Sequence, residues 1–404
     1  MKTHREIAEQ LDLFHSEPDG PGMIFWHPNG WRLHQTVTNH MRQVYRRYGF
    51  QEINTPIFLK KDLWQVSGHL EKFADNMFVG GEAHGQADYA LKPMSCPGHI
   101  LHFKRRVYSY RDLPYRIFEF GTVHRNEPSG SLNGCLRLRQ FTQDDAHVFC
   151  NWSQAEEEIQ AFLSRAKKVY GNYGYQDIQV KLSTRPENAF GEPSRWERAE
   201  KLLAAACRSS GYDFAYQVGE GAFYGPKLEL SLNDAMGRQW QCGTIQLDFN
   251  LPARFEIAYV ESTHQQEEPV ILHQAMYGSI ERWIGILLES YQGKLPLWTH
   301  PLPVGIATVG NDAFNYADKI KQRLISADIP VLVDASDNTV SRKIKRFHNQ
   351  LIPFMLVLGN REVVERSVSL RGPYSQYNQQ IALDSLLDFI NHACAVPVAA
   401  ENNL

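Results

Sequence analysis

Apolar positions recur at helical spacing over 30–50, ending near Gly49, and an extended stretch, QEINTP, then runs to Pro56. Residues 153–175 begin at Ser153 and carry Glu in their first turns, so a Ser-capped helix is expected. Further helices are predicted over 196–211, stopped by Gly211, and over 278–293, where Ile280, Trp283, Ile284, Leu287 and Leu288 form an apolar stripe. Between them the period falls to two. Residues 116–128 and the segment FTQDDAHVF (141–149) read as an antiparallel pair joined by the glycine-rich loop SGSLNGC. Residues 227–249 read as two strands around a turn at Asn233–Gly237.

The texture changes at GKLPLWTHPLP (293–303), whose prolines mark a linker. Beyond it strands are predicted at 304–309, 330–334, 354–359 and 366–371, with helices at 314–327, 341–350 and 383–394. This alternation argues for a small α/β domain over 299–404, after a larger domain over 1–295.

Composition narrows the class without naming a function. Hydrophobic residues make up 43% and charged residues 22%, an ordinary soluble balance. No apolar run is long enough to span a membrane. The charged start MKTHREIAEQLDLF lacks a signal core, and the six cysteines form no CxxC pair, so a reduced cytoplasmic setting is expected. A net charge of −3 does not announce a nucleic-acid partner, which would need a local basic surface.

The strand at 141–149 carries the chemistry. Alternation puts Arg139, Phe141, Gln143, Asp145 and His147 on one face, and Leu138, Thr142, Ala146 and Val148 on the other. Such a face is either solvated or the floor of a site, and this strand alone leaves both open. On the preceding strand Arg125 and Glu127 also share a face, and an arginine fork suits phosphate or carboxylate. Arg282 sits off its helix stripe with Gly278 and Gly285 on either side, so it is either a ligand anchor or a surface arginine beside packing glycines. Cys96, His147 and His273 are zinc-ligand types, yet their spacing matches no local finger; singly, each reads as a buried Cys or hydrogen-bonded His.

Taken together these stretches resemble a known family. GTVHRNEPSGSLNGCLRLRQFTQDDAH is similar to motif 2 of the class II aminoacyl-tRNA synthetases, most closely the threonyl-tRNA synthetases. KPMSCPGH, RDLPYRIFEFG, KLSTRPE, GEGAFYGPKLE, QCGTIQLDF and LHQAMYGSIERWIGILLE follow in the same order as that family's blocks. The resemblance implies an α+β catalytic domain, an antiparallel sheet flanked by helices, followed by an α/β anticodon-binding domain. It implies ATP-dependent activation of L-threonine and transfer to the 3′ end of tRNA(Thr). Cys96, His147 and His273 would hold one Zn²⁺ that recognises the threonine amino and hydroxyl groups, and Mg²⁺ would accompany ATP.

By the same resemblance Arg125 and Arg282 would act on the reacting phosphate, and His69 in transfer to the tRNA ribose. Glu127 would read the adenine amino group, Phe141 and Arg282 would sandwich the ring, and Arg137, Gln241 and Gln246 would complete the ATP site. Met94, Gln143, Asp145 and Tyr224, with Arg125 and Gln246, would bind threonine, Asp145 accepting from its hydroxyl. Glu362 and Arg371 would meet the anticodon. The family also implies a cytoplasmic homodimer with 30–56 near the interface.

Two departures qualify this. The sequence begins at the catalytic domain, so no editing of Ser-tRNA in cis is expected. Residues 299–404 hold ten Lys+Arg and ten Asp+Glu, with SRKIKRFHNQ the one basic helix, so anticodon recognition is expected to be weak or altered. A paralogue that activates threonine for another acceptor, or serves as an inhibitor-tolerant second copy, is the alternative. A non-catalytic binding paralogue would be expected to have lost an arginine or a zinc-type ligand, and none is lost.

Overall fold

The computed structural model describes residues 1–80, 89–234, 237–375 and 377–396. The centre of the predicted turn at Asn233–Gly237 and the end of the second predicted domain lie outside the described residues. Contacts divide the chain into two compact units.

The larger unit comprises mainly residues 38–286. Its frame is an eight-stranded sheet: β1 (Gln51–Glu52), β2 (Tyr115–His124), β3 (Gln140–Cys150), β4 (Ile178–Ser183), β5 (Phe214–Gln217), β6 (Lys227–Asn233), β7 (Gln239–Asp248) and β8 (Val270–Ser279). The order is β5-β4-β6-β7-β8-β3-β2-β1. Only the outermost pairs are parallel; every inner pair is antiparallel, as expected for this fold class.

The predicted pairing of 116–128 with 141–149 forms as β2 against β3, from Tyr115↔Phe149 to His124↔Gln140. The helix read at 153–175 spans Ala155–Asn172, but Ser153 does not cap it. The turn before the helix is held by Asn151 instead: its side-chain oxygen accepts from Gln154 N at 3.0 Å and from Ser153 Oγ at 2.7 Å. The helix read at 278–293 begins at Ile280, because Gly278 and Ser279 still belong to β8. Two bulges matter for the site. Between Glu229↔Thr244 and Ser231↔Gln241, β7 takes one extra residue; between Ala275↔Asp145 and Ser279↔Gln143, β8 takes two.

The other unit comprises residues 1–15, 25–37 and 287–398. Its sheet contains β9 (Val304–Thr308), β10 (Val331–Asp334), β11 (Phe354–Leu358), β12 (Ser367–Arg371) and β13 (Asn378–Ala382), ordered β10-β9-β11-β12-β13. The first three are parallel and the last two antiparallel to their neighbours. Val304, Ile306, Ile320, Leu324, Phe354, Leu356 and Leu370 form its buried core. A short helix at Asn360–Glu365 and β13 were not predicted, since NREVVE is under two turns and NQQIA is mostly polar.

Buried histidines couple this stability to pH. Burial lowers His40 and His300 to about 4, so the folded chain holds both neutral while the unfolded chain protonates them near 6.5. Between those values the unfolded state binds more protons, so stability rises with pH. Thermal unfolding measured from pH 7 down to 4 is expected to show a falling Tm. His300→Phe should flatten part of that slope; an unchanged slope would remove His300 from the account.

Candidate active site

A cavity of about 910 Å³ lies in the larger unit. Every residue assigned from the resemblance to ATP, threonine or zinc lines it: Met94, Cys96, Arg125, Glu127, Arg137, Phe141, Gln143, Asp145, His147, Tyr224, Gln241, Gln246, His273 and Arg282. His69 does not. It is fully buried behind the wall, with Nδ1 2.7 Å from Ser67 Oγ and Nε2 3.4 Å from Met94 Sδ and 3.9 Å from Cys96 Sγ. Burial lowers its pKa to about 3, so the ring is neutral. Glu362 and Arg371 lie in the other unit, where Glu362 Oε2 accepts from Gly359 N at 2.9 Å and caps a helix.

The geometry follows from the sheet. Phe141, Gln143, Asp145 and His147 face one way from β3, as period two requires. Arg125 follows β2, anchored by its Nε to Pro93 O at 3.2 Å, its guanidinium 5.2 Å from the Phe141 ring and 5.8 Å from Phe73. Glu127 is paired with Arg137 at 2.7 Å. On β7, Gln241 and Gln246 have opposite parity, yet the bulge turns both into the cavity. Gln241 Nε2 donates to Glu229 at 2.6 Å, and Tyr224 OH donates to Gln246 Oε1 at 2.5 Å. Tyr224 comes close because Gly225 has no Cβ; one there would sit 1.9 Å from Leu247 O.

Two polar atoms in the wall stand out. Gln143 Oε1 and Arg282 Nε are buried and have no hydrogen-bond partner among the described residues. Native interiors rarely leave such groups unmatched unless a ligand or water completes them. Arg282 lies 5.6 Å from the Trp240 ring, and burial pulls its pKa down. Of the two flanking glycines, Gly278 lines the cavity and Gly285 does not. A Cβ on Gly285 would meet Cys135 Sγ at 2.5 Å and Leu136 at 2.8 Å, and Gly278 sits in the β8 bulge with φ +72°. Phe73, Lys72, Lys227, Trp240 and Thr244 also line the cavity and were not foreseen. Lys227, Trp240 and Thr244 had a partial signal, since each lies within five residues of a predicted glutamine or tyrosine.

Cys96, His147 and His273 all line the cavity. His147 Nε2 is 2.9 Å from His273 Nδ1, which is a hydrogen bond. The outer nitrogens are also held: His147 Nδ1 lies 2.7 Å from His99 Nδ1, and His273 Nε2 lies 3.0 Å from Asp248 Oδ2. Among the described residues no three His, Cys, Asp or Glu side chains stand at metal-ligating spacing. The donor chemistry nevertheless fits zinc. A thiol and two imidazoles share one wall, each imidazole has an outer partner, and burial keeps His147 neutral.

Beneath them runs a buried polar chain. Lys92 Nζ donates to Glu119 Oε1 at 2.8 Å, and Thr55 N donates to Glu119 Oε2 at 2.7 Å. His99 Nε2 lies 3.5 Å from Glu119 Oε1. Burial opposes the Glu119 charge, but His99 and Lys92 outweigh it and hold the carboxyl well below its usual range. Among the described residues no helix is long and apolar enough to cross a membrane.

Comparison with known proteins places this arrangement. The family model for the tRNA synthetase class II core domain (G, H, P, S and T) matches residues 81–291, and that for the anticodon binding domain matches 303–392. A threonine--tRNA ligase of Thiobacillus denitrificans is 46% identical over 386 residues, 96% of this chain and 60% of that protein. One from Rickettsia bellii is 43% identical over 389 residues, covering 96% of this chain and 61% of its own length. The chain thus spans about 60% of the length of the curated relatives it matches. A solved structure described as the RNA binding domain of threonyl-tRNA synthetase from Cryptosporidium parvum Iowa II is 37% identical. It superposes with a TM-score of 0.95 over 99% of this chain and 100% of that one. A synthetase core, an anticodon-binding module and full-length likeness to that structure converge: the chain belongs to the class II aminoacyl-tRNA synthetases, within their threonyl-tRNA synthetase family.

Proposed function

We propose that this chain activates L-threonine with ATP and transfers it to tRNA(Thr). The observation that carries the reading is the cavity wall, where Arg125, Phe141 and Arg282 stand beside Gln143 and Asp145, with Gln143 Oε1 and Arg282 Nε unpartnered among the described residues. A nucleotide and a small polar amino acid would complete these groups. Arg125 and Arg282 would stabilise charge developing at the α-phosphate as the threonine carboxylate attacks and pyrophosphate leaves with Mg²⁺. Phe141 offers a face for the adenine, and Glu127 an acceptor for its amino group once shared with Arg137. Arg137, Gln241 and Gln246 would hold the rest of the nucleotide, and Met94 and Tyr224 would close around threonine.

Cys96, His147 and His273 would hold one Zn²⁺, which when bound would supply a Lewis-acid contact to the amino and hydroxyl groups of threonine. Asp145 would accept from the same hydroxyl. His69, neutral and buried, would reach the tRNA ribose only after a rearrangement of Met94 and the loop before it. Glu362 and Arg371, in the domain read as 299–404, would contact the anticodon, and two chains would associate as a cytoplasmic homodimer.

The test is threonine-dependent ATP–pyrophosphate exchange, then charging of purified tRNA(Thr). Exchange without charging would favour the other reading, threonine activation for a different acceptor, which the balance of ten basic and ten acidic residues in 299–404 supports. No exchange from metal-replete protein would sink both.

The same assay tests selectivity. Valine lacks the hydroxyl and leaves buried polar groups unpaired, so rejection by ~10⁴-fold or more is expected. Serine keeps the hydroxyl and lacks one methyl, which supports only about 10–200-fold discrimination. Measurable Ser-tRNA from this polypeptide is the expected result, and serine rejection matching that of valine would contradict it.

A further inference from the structure

Strand alternation turns Asp144 away from the cavity and gives it no role in the chemistry described so far. The side chain is wholly buried, 0% exposed, on the opposite face of β3 from Asp145. Its carboxylate accepts from three consecutive backbone N–H groups of β8: Met276 at 2.7 Å, Tyr277 at 3.1 Å and Gly278 at 2.9 Å. The Tyr45 hydroxyl adds a fourth contact at 3.2 Å.

Those three residues are the bulge. β8 passes from Ala275, opposite Asp145, to Ser279, opposite Gln143, so four steps on β8 face two on β3. The intervening amides have lost their β3 ladder partners, and an unpaired buried amide is costly. The Asp144 carboxylate replaces the ladder there. A second carboxylate continues the stitch: Glu281 accepts from Thr142 N at 2.9 Å and from Ser279 Oγ at 3.0 Å. Ser279 Oγ in turn accepts from Arg282 N at 3.1 Å. Tyr277, Gly278, Ser279 and Arg282 all line the cavity.

We infer that Asp144 is a positioning residue for the nucleotide half of the site: by clasping the amides of 276–278 it fixes where the helix carrying Arg282 begins relative to Phe141. The inference rests on the proposed ATP site. Asp144 touches no substrate. It acts through the bulge, and a displacement of about 1 Å at a reacting group costs up to roughly 100-fold. An amide cannot do the same work, because its NH₂ would point at an N–H donor.

The experiment compares Asp144→Asn with the unaltered chain in exchange assays, varying ATP and threonine separately. The expected result is a rise of roughly 10- to 100-fold in KM for ATP, with KM for threonine within about threefold. A merely structural role would reduce active enzyme, lowering kcat with both KM values unchanged, and that outcome would overturn the inference. Tyr45→Phe removes the hydroxyl but leaves the backbone clasp, and should leave KM for ATP within about twofold; an effect equal to that of Asp144→Asn would also overturn it. Should Asp144→Asn not fold, Glu281→Gln weakens the same stitch from the helix side, and an unchanged KM for ATP there counts against the proposal. If the unaltered chain shows no exchange, the function reading has failed. The clasp is then judged by amide hydrogen exchange at 276–278, where faster exchange in Asp144→Asn supports it and equal exchange refutes it.

Discussion

Arg282→Ala is expected to lower threonine-dependent ATP–pyrophosphate exchange by about 10²–10³-fold, the usual cost of removing one preorganised group that stabilises transition-state charge. The side chain reaches the cavity from the helix that follows β8, and its Nε has no partner among the described residues. Little folding energy is invested in it, so the loss should fall on catalysis. Thermal unfolding should move by no more than a few degrees. Arg282→Lys keeps the charge but not the planar fork, and should recover only part of the activity. Exchange within tenfold of the unaltered chain in Arg282→Ala would remove this residue from the mechanism.

Glu119→Gln is expected to destabilise the fold by about 3–5 kcal/mol, because it strands a buried ammonium. Lys92 and Glu119 are 1% and 2% exposed and stand 2.8 Å apart, so neither charge is appreciably solvated. The carboxylate also accepts from Thr55 N and Thr55 Oγ1. Urea unfolding should show a lower midpoint, and the double variant Lys92→Met/Glu119→Gln should cost less than the sum of the two single changes. A strictly additive result would mean the two charges are not coupled. The pH dependence has a definite sign. The folded carboxyl is held below its unfolded value, so its stabilising contribution is full above about pH 4.5. It is lost as pH falls toward the folded value, and Glu119→Gln should flatten that acid limb.

These two residues also mark how far the sequence can be read. Arg282 is identifiable from the chain alone because it stands within a long block similar to a known family. Phe141, Gln143, Asp145 and His147 are grouped by alternation, since an uninterrupted strand keeps its parity. Glu119 and Lys92 also stand in such blocks, KPMSCPGH and RDLPYRIFEFG, but nothing in either block says that the two pair. They lie on separate segments, and a buried ion pair is defined by where those segments meet, not by spacing. Trp240 and Thr244 escape for a related reason. The β7 bulge changes parity between Gln241 and Thr244, so no single alternation places Gln241, Thr244 and Gln246 on one wall. His69 shows the reverse. Its place in SGHLEKF invites a role at the reacting groups, but packing against Trp64, Phe223 and Met94 puts it behind the wall.

The short-range rules of hydrophobic period, glycine stops and proline linkers are enough to locate the longest helices, the strands β2 and β3 and the polar face of β3, because each depends on neighbours within a few residues; the strands β4, β5 and β8 are not read from the chain. Register shifts, buried partners and the contents of the cavity wall depend on which strands lie side by side. Asp144 is the clearest case. From the chain it is one more acidic residue on the far side of a strand. Its meaning exists only where two extra residues in β8 leave three amides facing one carboxylate.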